Sequence, residues 1–193
     1  MLRHLYDWTM DLSAKPYAMW ALAAVAFMES SFFPLPPDLL IISMVLASRS
    51  KAWKIATVST LGSVVGGLFG YAIGYYMFAS IGRPVLDFYG YAAKFQVFQS
   101  YYNQWGAWIV AGAGFTPIPY KVFTIASGVS GLNLGVFTVA SGLSRGARFF
   151  LEAGLLWYYG EPIRHFIEVH LGKLALFGFI LLFGGFALIK YVF

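Results

Sequence analysis

Two apolar segments of this chain are each interrupted by closely spaced prolines, and this feature limits the possible folds more than any other. The interruptions are Pro34, Pro36 and Pro37 within residues 17–48, and Pro117 and Pro119 within residues 105–130. Proline has no amide hydrogen to donate, and its ring clashes with the preceding helical turn. Neither segment can therefore be one continuous helix, and each predicts two short helical arms around a break.

Composition decides where these arms lie. Of the 193 residues, 60% are hydrophobic and 11% are charged, and the mean hydropathy is +0.71. A soluble domain of this size cannot hide so much apolar surface, so the sequence predicts an integral membrane protein. A helix needs about 20 residues to cross the hydrocarbon core, and each arm is shorter than that. We therefore predict two re-entrant hairpins, each of which enters and leaves the membrane by one face.

The rest of the chain predicts two further kinds of helix within a single membrane domain, residues 1–193. We predict interfacial helices at residues 1–15 and 83–104, and transmembrane helices at residues 55–81, 133–159 and 171–193. In the first transmembrane helix a glycine recurs every fourth residue, at Gly62, Gly66, Gly70 and Gly74. A strip without side chains lets another helix approach closely. It permits a homodimer without requiring one.

An internal repeat relates the two halves of the chain. A shift of 83 residues lays Pro34 on Pro117, Asp38 on Lys121, and the first crossing helix on the second. Because a hairpin returns to its own face and a crossing helix does not, the second half is inverted relative to the first. The predicted fold is thus an all-α integral membrane protein, an inverted repeat of re-entrant hairpin plus transmembrane helix, followed by a C-terminal transmembrane helix.

Basic residues at the segment ends predict the orientation in the membrane. In this topology one face carries Arg3, Lys15, Arg49, Lys51, Lys54, Arg164 and Lys173, and the other carries Arg83, Lys94 and Lys190. Basic loop residues favour the cytoplasmic side, so the N-terminus is predicted to be cytoplasmic. We assign the net charge of +5 to topology and anionic lipid, and not to nucleic acid.

Six charged residues remain inside apolar segments. They are Glu29, Asp38, Lys121, Arg145, Arg148 and Glu152. A charged side chain at the bilayer centre costs about 2.5 to 3.5 kcal/mol on the lenient insertion scale, so these six must face each other or water. Helical spacing places the last three on one stripe. We interpret the six as one substrate-binding and transport site between the hairpins. The competing interpretation is a set of structural ion pairs.

This cluster of charges suits an anion such as a lipid phosphate. Arg145, Arg148 and Lys121 could pair with phosphate oxygens, while Glu29 and Asp38 could exchange protons. The chain has no cysteine, and its three histidines are poorly placed for a metal, so no metal site, cofactor or enzymatic activity is predicted. The alternatives are a proton-coupled carrier of small ions or solutes and a non-transporting membrane assembly or scaffold protein.

The two break motifs carry a family resemblance. The first reads ESSFFPLPPD from Glu29 to Asp38, and the second reads GFTPIPYK from Gly114 to Lys121. Together they resemble the DedA family, also called the SNARE-associated Golgi or VTT-domain family, and most closely its YqaA-type branch. The resemblance extends over about residues 17–159.

That resemblance implies a multi-pass protein of the cytoplasmic (inner) membrane of a prokaryote, with two opposed re-entrant hairpins. It also implies movement of a polyprenyl phosphate, such as undecaprenyl phosphate, or of a phospholipid between leaflets, with dependence on the proton motive force. The acidic residues of the family motif fall on Glu29 and Asp38. In the second motif, where typical members carry two arginines, this chain has Gly114 and Lys121. Arg145 and Arg148 could supply the charge from the neighbouring helix.

Overall fold

The computed structural model describes residues 17–32, 36–116, 119–160 and 162, and these residues are helical with no strand among them. The helices are α1 (Ala18–Ser31), α2 (Asp38–Ala47), α3 (Ala52–Met77), α4 (Arg83–Phe88), α5 (Ala92–Phe115), α6 (Tyr120–Ser130) and α7 (residues 134–160). A 3₁₀ turn, Arg49–Lys51, leads into α3, and a π-helical turn, Phe78–Gly82, joins α3 to α4. The predicted helices at residues 1–15 and 171–193, and two of the five break prolines, Pro34 and Pro117, lie outside the described residues.

Both proline-containing segments have the structure helix, break, helix. In the first, Pro37 precedes α2 with a φ of −70°, the value at which a proline ring is fixed and can start a helix. In the second, Thr116 has extended backbone dihedrals, which suit a residue followed by proline, and α6 starts after Pro119. The side of the membrane by which each segment enters, and the inverted repeat, stay predictions.

The glycine strip of α3 is used for packing within the chain. A Cβ added at Gly62 would lie 2.7 Å from the carbonyl oxygen of Ala23 in α1, and one added at Gly74 would overlap the backbone of Ile125 in α6. The helix backbones therefore touch along this strip, as the spacing predicted. All four glycines of the strip are buried inside the chain, so this strip packs within one chain, and a homodimer stays a prediction.

One predicted boundary differs from the structure. The sequence divided residues 83–104, as an interfacial helix, from residues 105–130, whereas α5 runs without a break from Ala92 to Phe115. The interruption lies earlier, after α4, where Gly90 adopts a positive φ of 70° that favours glycine. Within α5 no proline occurs, and Gly106 packs against Leu132 in the middle of the helix, so α5 is not interrupted there.

The turn between α6 and α7 is set by two residues. Gly131 ends α6 in the left-handed conformation, with φ 66°. The side-chain oxygen of Asn133 then accepts hydrogen bonds from the backbone amides of Gly135 and Val136, at 2.9 and 3.1 Å. This is the cap that a helix N-terminus needs for its free amides, and it fixes where α7 begins.

Contacts with α3 give the helix directions. Gly154 of α7 lies beside Trp53, near the start of α3, and Phe137 lies beside Gly67, further along it, so α7 is antiparallel to α3. Helices α1 and α6 run parallel to α3, as the pairs Ala23 with Gly62, Ser30 with Gly70, Tyr120 with Gly67 and Ile125 with Gly74 indicate. α7 therefore passes both broken segments as it returns along α3.

Helix α3 and its flanks, Arg49–Phe88, form a 40-residue helical stretch that contains an 18-residue window of mean hydropathy 1.4, and it is long and apolar enough to cross a membrane. Exposed aromatic residues stand near both ends, at Trp53 and Tyr75. At 1.5 Å per residue they are about 33 Å apart, close to the roughly 30 Å of a hydrocarbon core. We call these positions the Trp53 end and the Tyr75 end. The basic residues Arg49, Lys51 and Lys54 lie at the Trp53 end.

Candidate functional site

Arg145 of α7 forms the buried centre of the site. Its side chain is 2% exposed, its Nη2 donates to Glu29 Oε2 at 2.6 Å, and its Nε donates to Ser63 Oγ at 2.7 Å. Ser30 completes the network, because its hydroxyl donates to Glu29 Oε2 at 3.1 Å and lies 2.6 Å from Ser63 Oγ. The buried charge is thus paired and also hydrogen-bonded, which offsets the cost of removing it from water.

Two aromatic rings hold the same guanidinium group. Its central carbon lies 4.6 Å from the ring centroid of Phe149 and 5.0 Å from that of Tyr120. Both are cation–π distances, and both rings are fully buried. The Tyr120 hydroxyl donates to Ser141 Oγ. Arg145 is therefore fixed by α1, α3 and α6 as well as by its own helix.

Arg148 joins the two breaks. Its Nη2 donates to Asp38 Oδ1 at 2.7 Å, and its Nη1 donates to the carbonyl oxygen of Thr116 at 3.1 Å. Asp38 is the first residue of α2, directly after the first break, and Thr116 is the residue at which α5 gives way to the second break. The end of α5 leaves this carbonyl without a helical donor, and Arg148 replaces that donor.

The other two predicted site residues differ in their surroundings. Glu152 is one helical turn beyond Arg148, and its carboxyl group is in side-chain contact with the Asp38 carboxyl group. Lys121 is half-buried in the first turn of α6. Neither ion pair found in the described residues includes the Lys121 ammonium group. The structure thus brings Glu29, Asp38, Arg145, Arg148 and Glu152 together and leaves Lys121 outside their network.

The depth of the site follows from Ser63, which contacts Arg145. Along α3, Ser63 is about 15 Å from Trp53 and about 18 Å from Tyr75 at 1.5 Å per residue. The Arg145–Glu29 pair is therefore near the middle of the crossing helix. Because α7 is antiparallel to α3, the Arg148–Asp38 pair lies nearer the Trp53 end. The Arg148 and Asp38 side chains are 24% and 30% exposed, whereas those of Arg145 and Glu29 are 2% and 17% exposed.

Several residues of the site were not predicted from the sequence. Ser63, Thr116, Tyr120 and Phe149 contact the two arginines, and Ser30 contacts Glu29 and Ser63. Three of them, Ser30, Thr116 and Tyr120, lie inside the break motifs, but their residue types did not indicate these contacts. A helical serine usually donates to the carbonyl four residues earlier, as Ser43 and Ser144 do, so Ser63 could not be distinguished from those. In the described ranges, no three His, Asp or Glu side chains are grouped as a metal ion would require.

Fold and site together define a class of protein. An all-helical membrane chain whose charged side chains meet beside two broken helices is typical of transporters that build a site within the membrane. The chain belongs to the VTT-domain family, also called the DedA or SNARE-associated family, whose domain matches residues 35–158. Proteins of this family are membrane proteins, and membership indicates a transporter-like role.

Three relatives illustrate the relationship. An uncharacterized protein of Haemophilus influenzae is 41% identical over 169 residues, which cover 86% of this chain and 88% of the relative. An uncharacterized protein of Histophilus somni is 38% identical over 81% of this chain and 82% of the relative. A more distant uncharacterized protein, from Methanocaldococcus jannaschii, is 30% identical over 56% of this chain and 64% of the relative. No solved structure matches the chain significantly.

Proposed function

We propose that this protein moves a phosphate-bearing lipid, such as a polyprenyl phosphate or a phospholipid, between membrane leaflets through the site beside its two breaks. The observation that carries the proposal is the position of Arg145 and Arg148, which α7 places beside both broken segments. Guanidinium groups match phosphate oxygens through paired hydrogen bonds. The transporter-like role that the family indicates supports the same conclusion.

Only the head group of such a lipid needs this site. Acyl and isoprenoid chains are soluble in the hydrocarbon core, whereas a phosphate is not. The Arg148–Asp38 pair is partly exposed, at 24% and 30%, so an arriving phosphate can reach it first. Arg145, which is 2% exposed, can be reached only after the surrounding side chains move. The two arginines therefore offer successive positions along a path towards the middle of the membrane.

Both arginines are already paired with carboxylates, so a phosphate must replace Asp38 or Glu29. A carboxylate that lost its arginine would be an unpaired charge at membrane depth, which is costly. Uptake of a proton by that carboxyl group removes the charge. We therefore expect anion binding to be accompanied by proton uptake, and this exchange is the basis for proton coupling in the proposal. The mechanism needs no metal, cofactor or covalent step.

One structural observation favours a second candidate role. The four groups of the two ion pairs satisfy one another, as they would if they only held the helices together. In that case the protein is a membrane assembly or scaffold protein, and removal of the charges affects stability alone. A proton-coupled carrier of small solutes would use the same exchange with a different anion.

Reconstitution into liposomes separates these roles. Purified protein is placed in vesicles that contain either a fluorescent phospholipid or a labelled polyprenyl phosphate, and the movement of label between leaflets is measured. The decisive variant is Asp38→Asn, and its matched control is Asp87→Asn, which neutralises an exposed aspartate on α4. We expect Asp38→Asn to slow translocation by about tenfold or more, the effect of roughly 1.4 kcal/mol, and Asp87→Asn to leave it unchanged.

The outcomes assign the role. Equal translocation by wild type and Asp38→Asn would rule out the proposed site. Movement of an internal anionic solute without movement of either lipid would support the solute carrier, and no movement of any of these would support the scaffold. Translocation is also measured in matched liposomes with and without a pH difference across the membrane. Identical translocation rates in the two would rule out proton coupling.

A further inference from the structure

Glu152 of α7 contacts another acid in the charged site. It follows Arg148 by four residues, so the two side chains lie on one stripe of the helix. Neither ion pair in the described residues includes Glu152, and the terminal nitrogens of Arg148 donate to Asp38 and to the Thr116 carbonyl oxygen. The Glu152 carboxyl group is instead in contact with the carboxyl group of Asp38. A contact between two acids requires a physical explanation.

The charges of the site do not balance if every acid is ionised. In the described part of the chain the network contains three carboxyl groups and two guanidinium groups, namely Glu29, Asp38, Glu152, Arg145 and Arg148. Full ionisation would leave one negative charge without a cation inside the protein, which is costly. A single bound proton makes the five groups neutral as a set.

The surroundings of Glu152 favour the bound proton. The side chain is half-buried, and its neighbours one turn away on α7 include Phe149 and Leu156, which are 0% and 4% exposed. Two carboxylates repel each other strongly in such apolar surroundings, and a pair in contact avoids this by keeping one proton. The other charged groups that face Glu152 are Arg148 and Arg145 of its own helix, and Arg145 is already paired with Glu29 of α1.

We propose that Glu152 is a protonated carboxylic acid in this structure, and that its hydroxyl group donates a hydrogen bond to the Asp38 carboxylate. Asp38 is the ionised member of the pair because it accepts the hydrogen bond from Arg148 Nη2 at 2.7 Å. It is also the first residue of α2, where the helix dipole stabilises a negative charge. Glu152 is therefore a positioning residue, which holds the Asp38 carboxylate beside Arg148 without competing for the arginine.

The bound proton has a consequence for transport, and this consequence rests on the proposed function. When a lipid phosphate replaces Asp38 at Arg148, the displaced carboxylate still accepts the hydrogen bond from Glu152. One further proton, taken up by Asp38, then makes the pair neutral. The pair thus holds one proton without the phosphate and two with it. An ionised Glu152 would instead place a second negative charge beside the arriving phosphate.

Infrared spectroscopy tests the proposal directly, because a protonated carboxyl group and a carboxylate have separate stretching bands. Purified wild type is compared with Glu152→Gln in detergent at neutral pH, since glutamine keeps a hydrogen-bond donor for Asp38. We expect this variant to lose one protonated carboxyl group. The matched control Asp87→Asn, which changes an exposed aspartate on α4, should lose a carboxylate. In the wild type, isotope-labelled glutamate should shift the protonated band, and labelled aspartate should not.

Loss of a carboxylate from Glu152→Gln would overturn the proposal, because Glu152 would then be ionised in the wild type. A protonated band that shifts with labelled aspartate only would overturn it as well, since the proton would belong to Asp38. Should Glu152→Gln fail to fold, Glu152→Asp takes its place in protein that carries labelled glutamate. The protonated glutamate band should be missing from that variant, and its persistence would reject the proposal.

This result is independent of transport, so it can be separated from the proposed function. A short-chain phosphatidic acid is added to wild type that carries labelled aspartate, and a new protonated aspartate band is expected. If Glu152→Gln loses the protonated group but the lipid produces no such band, the proton on Glu152 is supported and replacement of Asp38 by a phosphate is rejected.

Discussion

The ion pair between Arg145 and Glu29 provides the sharpest separation of a structural from a functional role. Replacing Arg145 by Met leaves Glu29, 17% exposed, without its cationic partner, and among the described residues only the Ser30 hydroxyl then donates to its carboxylate. Breaking a buried pair in this way costs about 3 to 5 kcal/mol. For a chain of 150 to 250 residues, that corresponds to a fall in Tm of roughly 6 to 20 °C.

A double variant that removes both charges should regain the stability that the single variant loses. In Arg145→Met with Glu29→Gln, no unpaired charge remains, and replacing a buried pair by uncharged groups of similar volume is often neutral. We therefore expect its Tm to return to within about 4 °C of wild type, equivalent to roughly 1 kcal/mol. Lipid translocation should stay lost, because the positive charge at the middle of the membrane has been removed.

The assay is thermal unfolding of the purified protein in detergent, followed by size-exclusion chromatography, together with translocation in liposomes. Glu29→Gln alone should lower the Tm less than Arg145→Met, because the arginine keeps Ser63 and two aromatic rings as partners. The reasoning is refuted if Arg145→Met is as stable as wild type, since the pair would then not be buried. Normal translocation by the double variant would instead show that these charges are not used in transport.

Three further predictions concern other parts of the molecule. Arg148→Lys keeps the charge, but a lysine cannot bond both Asp38 and the Thr116 carbonyl. Translocation should fall by about tenfold, and an unchanged rate would mean that the link between the two breaks is unimportant for transport. Gly74→Ala should destabilise the protein in thermal unfolding, whereas Gly112→Ala, where an added Cβ meets nothing within 4 Å, should be neutral or slightly stabilising, and equal effects would contradict the packing of α3 on α6. Ser50→Cys introduces a thiol at the Trp53 end, which is predicted to face the cytoplasm. It should react with a membrane-impermeant thiol reagent only in inverted membrane vesicles, and reaction in right-side-out vesicles would contradict the predicted orientation.

Much of the framework could be predicted from the sequence because it depends on local chemistry. A proline interrupts a helix wherever the helix lies, so both breaks could be located without knowledge of their neighbours. Hydropathy identified a membrane protein, and the cost of charge in lipid indicated that Glu29, Asp38, Arg145 and Arg148 had to meet. The structure brings these four residues together as two ion pairs. The family was also evident from the sequence, because its motifs are short and contiguous.

What the sequence could not determine are the properties that depend on which helices are neighbours. Arg145 pairs with Glu29 and not with Glu152, which is closer to it in the sequence. This choice depends on the position of α1 against α3. Ser63 belongs to the site only because α7 passes it. Lys121 has the right charge but is in neither ion pair of the described residues, although its neighbour Tyr120 contacts Arg145. The contact of the Tyr120 ring with Arg145 could not be predicted from the sequence either, because it depends on the packing of α6 against α7. Local chemistry therefore determined the helices and breaks of this protein, and the packing of helices from distant parts of the chain determined which charges meet.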